Sequence, residues 1–136
     1  GLKEDKIVSL VDLPPTLLSF AEIDVPKQCQ GNEILNKNDC ECAFVQISET
    51  QCGRAIRTKD FTYSITSPFA LSSFSKIYFE DYLYDNRNDN SQKNNLIKSN
   101  EYRQIRKNLN KLMKEQIKKI EGKSPIILPA LVVKKK

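Results

Sequence analysis

Four short runs between Cys42 and Tyr84 carry strand-type patterning, and the connections between them are too short for a helical crossover. Cys42 to Ser48 alternates, with Ala43, Val45 and Ile47 on one side and Phe44 on the other. Arg54 to Thr58 follows. Phe61 to Thr66 has the cleanest pattern, Phe61, Tyr63 and Ile65 pointing one way and Thr62, Ser64 and Thr66 the other. After a small-residue loop, Ser67 to Ser75, a fourth run from Lys76 to Tyr84 holds Ile77, Tyr78, Phe79, Tyr82, Leu83 and Tyr84. Strands so close in sequence pair most simply as an antiparallel meander.

A meander with one apolar face needs a cover, and the sequence supplies a helix. Ser99 or Asn100 is placed to cap a segment in which Tyr102, Ile105, Leu109, Leu112 and Ile120 recur at steps of three and four. Gly122 stands at the C-cap position, Lys118 and Lys119 suit the negative end of the dipole, and Pro125 and Pro129 preclude continuation. Near the start, Asp12 is placed to N-cap a helix whose first turn holds Pro14 and Pro15, which that turn tolerates. Leu13, Leu17, Phe20 and Ala21 then share a face. Asp24 to Glu41 reads as a surface loop, Asp85 to Asn95 as a solvated turn, and the Lys134-Lys135-Lys136 end as frayed. The expected class is α+β: a small antiparallel sheet of about four strands packed against a C-terminal helix, with a short N-terminal helix.

Chemistry is hard to find. The chain has no histidine, which removes the commonest acid–base side chain and the commonest transition-metal ligand. Its four cysteines, Cys29, Cys40, Cys42 and Cys52, therefore have no imidazole base. Reduced thiols and disulfides both fit. Their gaps of ten, one and nine residues do not form the paired spacing of a structural zinc site. A calcium loop starting at Asp85 would put Arg87 at the third ligand and Leu96 where a bidentate Glu belongs. The glycines stand alone, so no phosphate-cradling loop is present. No apolar run approaches the roughly eighteen residues of a membrane span. Gly1 is not a natural start, and the chain reads as a piece of something longer.

The net charge of +5 is concentrated in one visible place. Arg103, Lys107, Lys111, Lys114 and Lys118 are spaced four, four, three and four, which aligns them on the helix face opposite the apolar seam. Such a stripe is either a solvated surface or a contact for a polyanion, nucleic acid or sulfated glycan. No aromatic residues are interleaved with it, which counts against single-stranded nucleic acid.

Three segments, in order, resemble the C-terminal end of type I sulfatases of the alkaline-phosphatase-like superfamily, in its bacterial arylsulfatase-like branch. Val8-Ser9-Leu10-Val11-Asp12-Leu13-Pro14-Pro15-Thr16-Leu17-Leu18, followed by Val25-Pro26 and Gln30-Gly31, is similar to the family's V-S-x-x-D-L-x-P-T-L-L helix and the loop after it. Phe44 to Thr58 resembles the strand, loop and strand that end in R-A-I-R-T. Leu83-Tyr84-Asp85 through Asp89 to Asn95-Leu96 resembles L-Y-D-L-x-x-D-P-x-E-x-x-N-L, with Asn86, Asn90 and Gln92 as departures.

The resemblance implies that residues 1–23 end a catalytic-domain region and residues 24–136 form a C-terminal subdomain docked on that domain. It implies a sulfuric ester hydrolase acting on a sulfated glycan or aryl sulfate. The family's formylglycine and calcium would both lie upstream, since none of the four cysteines begins a C/S-x-P/A-x-R motif. No catalytic or metal residue carries over, so the chain alone is expected to be inactive and without a cofactor. What carries over is a pocket rim: the loop Ser48 to Arg54 faces the catalytic domain in the family. Gln51 and Arg54 are its candidate substrate-rim residues, with a domain-docking ion pair as the other use of Arg54. The rival is a stand-alone polyanion-binding or regulatory module using the basic helix face, and a third option is self-association through an orphaned sheet face.

Overall fold

A computed structural model describes residues 5–36, 40–49, 51–68 and 73–131. The Lys134–Lys136 end, Thr50 and part of the Ser67–Ser75 loop lie outside the described residues. The chain divides into two compact units, Gly1–Ala43 and Phe44–Lys136.

In the first unit a single turn of 3-10 helix, Leu10–Asp12, runs into helix α1, Leu13–Phe20. Pro14 and Pro15 occupy its first turn, where their missing N–H groups cost nothing. Asp12 precedes the helix as expected, but its carboxylate does not cap it. Instead Asp12 Oδ2 accepts the Ser9 amide at 2.7 Å and Oδ1 accepts the Asn32 amide at 2.8 Å. Thr16 completes the clip: its hydroxyl donates to the Asp12 carbonyl at 2.6 Å and accepts the Ile34 amide at 2.9 Å. The D-L-P-P-T segment thus fastens the following loop onto α1. Gly31 must be glycine there, because a Cβ would overlap the Val11 carbonyl and lie 2.8 Å from Asp12 Cα.

The second unit is the sheet. Strands β1 (Ala43–Ile47, which starts at the boundary), β2 (Cys52–Arg57), β3 (Phe61–Ser67) and β4 (Ile77–Asp85) lie in chain order, with β2, β3 and β4 paired as the antiparallel meander that the patterning predicts. The β2–β3 turn is closed by Thr58, whose hydroxyl accepts the Phe61 amide at 2.9 Å. That role accounts for the threonine ending R-A-I-R-T. Along β4, Tyr82 pairs with Ser64 and Glu80 with Ile65, so Asp81 is an extra residue. This bulge switches the parity of the strand: Tyr78 and Glu80 share the inner face with Leu83 and Asp85 rather than with Tyr82 and Tyr84.

Helix α2, Arg103–Glu121, crosses the face that carries Arg54, Tyr63 and Glu80. Its buried residues are Leu109, Leu112, Met113 and Ile117. Met113 and Ile117 were not in the expected seam, and Tyr102, Ile105 and Ile120 sit at its half-buried edges. The helix also begins later than Ser99 or Asn100 would have it. Residues 99–102 form tight turns in which the Ser99 amide reaches the Leu96 carbonyl and the Arg103 amide the Asn100 carbonyl. At the other end Gly122 takes φ 66°, the left-handed C-cap, as expected.

A fifth strand, absent from the sequence reading, follows α2. Ile126–Leu128 (β5) pairs parallel with Ile77–Phe79 at the edge of β4. Three residues between Pro125 and Pro129 are too few to show an alternation.

Candidate functional site

Arg54 is the most unusual residue of the sheet: a cation with 2% of its surface exposed, at the centre of β2. All five of its N–H groups have acceptors. Nε donates to Glu121 Oε1 at 2.5 Å and Nη2 to Glu121 Oε2 at 3.1 Å, a bidentate fork. Nη2 also reaches the Ser73 carbonyl at 2.6 Å, while Nη1 donates to the carbonyls of Gly53 at 2.7 Å and Ile47 at 3.3 Å. Burial acts to lower the guanidinium pKa, and Glu121 outweighs it with help from Tyr78 and Cys52, holding the group above its ordinary value. The Tyr78 ring lies 5.8 Å from the guanidinium carbon.

This arrangement ties the end of β1, the start of β2, the segment at Ser73 and the last turn of α2 to one side chain. The ion pair Arg54 makes is thus internal to the Phe44–Lys136 unit, and no donor remains for an anion arriving from outside. Gln51, the other rim residue, is exposed just before β2. Glu121 and Ser73 were not anticipated. Glu121 did leave a signal: an acid in the last turn of a helix opposes the dipole and is misplaced unless a cation meets it.

Next to Arg54, buried Cys52 lies 3.3 Å from the Tyr78 hydroxyl, which also accepts the Ser75 amide at 3.0 Å. Burial first, then the contact with Cys52, pushes the Tyr78 phenol up to about 12. Of the other sequence cysteines, Cys40 accepts an Asn32 side-chain N–H at 3.2 Å, and Cys29 and Cys42 are half-buried. Further along the sheet, the Tyr63 hydroxyl donates to Glu80 at 3.1 Å and accepts Asn110 Nδ2 at 3.3 Å, while Arg106 lies 3.9 Å from Glu80. Burial and then the Glu80 charge raise the Tyr63 pKa. These groups bind α2 to the sheet and offer no nucleophile paired with a base.

The L-Y-D segment has an equally structural role. Asp85 accepts from the Arg87 amide, Nε and Nη2, each at 3.1 Å, and from Asn88 Nδ2 at 3.0 Å. Chiefly through Arg87, its pKa is pulled to about 2 from 3.8. Asp89 accepts the Lys93 and Asn94 amides at 3.0 and 2.7 Å. Asn95 Oδ1 accepts the amides of Leu83 and Ile97, both at 3.0 Å, and its Nδ2 donates to the Asp81 carbonyl, so the side chain seals the edge of β4 at the bulge. Because the Asp85 pKa is depressed in the folded chain, its stabilising contribution is complete above the unfolded value of 3.8 and is lost as pH falls through about 2. Asp85→Asn is expected to flatten the acid limb of stability in that window, checked by urea unfolding between pH 5 and pH 2.

The five basic residues of the stripe, Arg103, Lys107, Lys111, Lys114 and Lys118, are all exposed on α2. Among the described residues no three His, Cys, Asp or Glu side chains are grouped to hold a metal, and no helix is long and apolar enough to cross a membrane.

A meander braced by one long helix, its buried polar groups spent on internal bonds, defines an α+β module. The sequence model of the N-sulphoglucosamine sulphohydrolase C-terminal family matches residues 1–119, and the chain belongs to that family of sulfatase C-terminal domains. Among solved structures it is similar to BT4656, determined with its substrate D-glucosamine-2-N,6-O-disulfate, at 24% identity and TM-score 0.67, covering 84% of this chain and 24% of that one. It is also similar to BT1596, described as a 2-O GAG sulfatase, at 21% identity and TM-score 0.71, covering 87% and 27%. At such identities the likeness shows the fold. The chain spans about a quarter of the length of these structures. No curated protein matches it.

Proposed function

We propose that this chain serves as the C-terminal support of a sulfuric ester hydrolase, inactive alone and docked on the catalytic domain that carries the chemistry. Membership of the sulfatase C-terminal family over residues 1–119 carries the reading. Exposed apolar side chains support the docking. On and before α1, Leu10 is 82% exposed, Leu17 65% and Phe20 80%, a density of bare hydrophobic surface that calls for a cover. The residues expected as a packed helix face, Leu13 and Leu17 with Phe20, are among those left open, which fits residues 1–23 belonging with the catalytic domain. The Asp85 carboxylate, its oxygens taken by Arg87 and Asn88, does not fit the family's calcium, and no cysteine begins the motif of its formylglycine. Both therefore belong to the catalytic domain in this reading.

The test compares the intact polypeptide with residues 1–136 alone for sulfate release from an aryl sulfate and from a sulfated glucosamine, the class bound by BT4656. Turnover by the intact protein and none by the isolated chain is expected. Turnover by the isolated chain, or a folded intact protein inert toward every sulfate ester, would sink the reading. Within it, Gln51 contributes to the pocket rim directly, and Arg54 positions the same loop from beneath. Gln51→Ala in the intact enzyme is expected to change kcat/KM unequally across sulfated substrates, by about threefold to tenfold for the loss of one exposed hydrogen bond, with unfolding midpoints unmoved. Equal kcat/KM ratios across the panel would remove Gln51 from the rim.

A further inference from the structure

The outward face of α2 has a charge pattern that the fold itself does not need. Of the seven basic residues between Arg103 and Glu121, Arg106 is turned inward, donating to the carbonyls of Ile97 at 2.6 Å and Ser99 at 2.8 Å. Glu121 is likewise spent on Arg54. What remains outside is Lys119 and a row of five, Arg103, Lys107, Lys111, Lys114 and Lys118, all exposed, with Glu115 the single acid beside the row. At 3.6 residues per turn the five fall within an arc of about 80°, and at 1.5 Å per residue they extend over about 22 Å. Each successive step in the row is a like-charged i,i+3 or i,i+4 pair, which disfavours a helix. Among the described residues only Lys111 has an acidic partner, Glu115 at 3.9 Å with both side chains largely in solvent. The sheet is held by the opposite side of the helix, and of the five only Lys118, in the last turn, also answers the helix dipole.

We infer that this stripe is an exosite for a linear sulfated glycan, holding the polymer by several sulfate groups along the helix. Four of the five cations are lysines, point charges on flexible stems that suit an irregular row of anionic groups better than one bidentate partner. No aromatic side chain projects among them to stack a base, which disfavours single-stranded nucleic acid. The choice of a sulfated glycan over other polyanions rests on the sulfatase reading above; the cationic row itself does not.

The test is made on the intact polypeptide with heparin as the probe, chemically desulfated heparin as the comparison, and duplex DNA and anionic phospholipid vesicles as competitors. Lys107→Gln, Lys111→Gln, Lys114→Gln and Lys118→Gln are combined in one variant. A second variant combines Lys27→Gln, Lys59→Gln, Lys93→Gln and Lys98→Gln, four exposed lysines away from the stripe, so that both lose the same charge. The helix variant is expected to bind heparin at least about 30-fold more weakly at 0.1 M salt, with the slope of log K against log salt falling from about −3 toward −1. The other variant is expected to stay within about threefold. Equal losses in the two variants, undiminished binding of desulfated heparin, or tighter binding of DNA or vesicles than of heparin would each overturn the inference. Turnover of a small sulfated sugar is followed in parallel. Stripe-dependent binding without any sulfatase activity in the wild type would remove the enzymatic reading and leave the exosite. Activity on both small and polymeric substrates unchanged in the helix variant would remove the exosite and leave the enzyme.

Discussion

Arg54→Ala is expected to destabilise the Phe44–Lys136 unit by about 3–5 kcal/mol, the usual cost of removing one partner from a buried ion pair. The loss has three parts. Glu121, whose side chain is 11% exposed, keeps a charge with no counterion; the carbonyls of Gly53, Ile47 and Ser73 lose their donor; and a large volume between β2 and α2 is vacated. Arg54→Lys keeps the charge but not the fork, and is expected to recover only part of the difference. The pair Arg54→Met with Glu121→Leu removes both charges and is expected to come within about 1–2 kcal/mol of the wild type. Urea unfolding of the three variants checks the order. If Arg54→Ala unfolds at the wild-type midpoint, the buried pair is not what holds α2 to β2.

Gly31→Ala is the second large effect. The added methyl would overlap the Val11 carbonyl, and the neighbouring atoms are backbone that no rotamer change can move aside. A cost of about 3 kcal/mol or more follows from overpacking against a fixed wall. The damage is local to the first unit, because what it displaces is the loop clipped by Asp12 and Thr16. Hydrogen exchange is the informative measurement: the Asn32 and Ile34 amides are expected to lose protection, while those of β2 and β3 keep theirs. Unchanged protection at Asn32 would mean that the loop sits elsewhere.

The sheet was legible because its strands are local and alternate, and the register of β3 follows directly from Phe61, Tyr63 and Ile65. β5 was not, since a three-residue parallel strand depends on a partner far away in sequence. The Asp81 bulge was hidden for a related reason: an extra residue in a run dense with Tyr and Phe leaves no polar marker of the change in parity. Arg54 stood out by motif, but its partner is 67 residues away and only the tertiary fold brings Glu121 to it. The polar residues of the D-L-P-P-T and L-Y-D segments had a family pattern and no evident chemistry. The structure resolves that: they act as acceptors for backbone amides, a role local composition does not distinguish from ligand binding.

The order of strands also sets a schedule for the growing polypeptide. Translation delivers β4 before α2, and α2 before Ile126–Leu128, so the rim of β4 at Ile77–Phe79 emerges from the ribosome with its amides and carbonyls open and stays so until the last strand arrives. An open rim is a template for pairing with another nascent chain. A ribosome that stalls between Gly122 and Pro125 would therefore release a product with its helix complete and its sheet still adhesive.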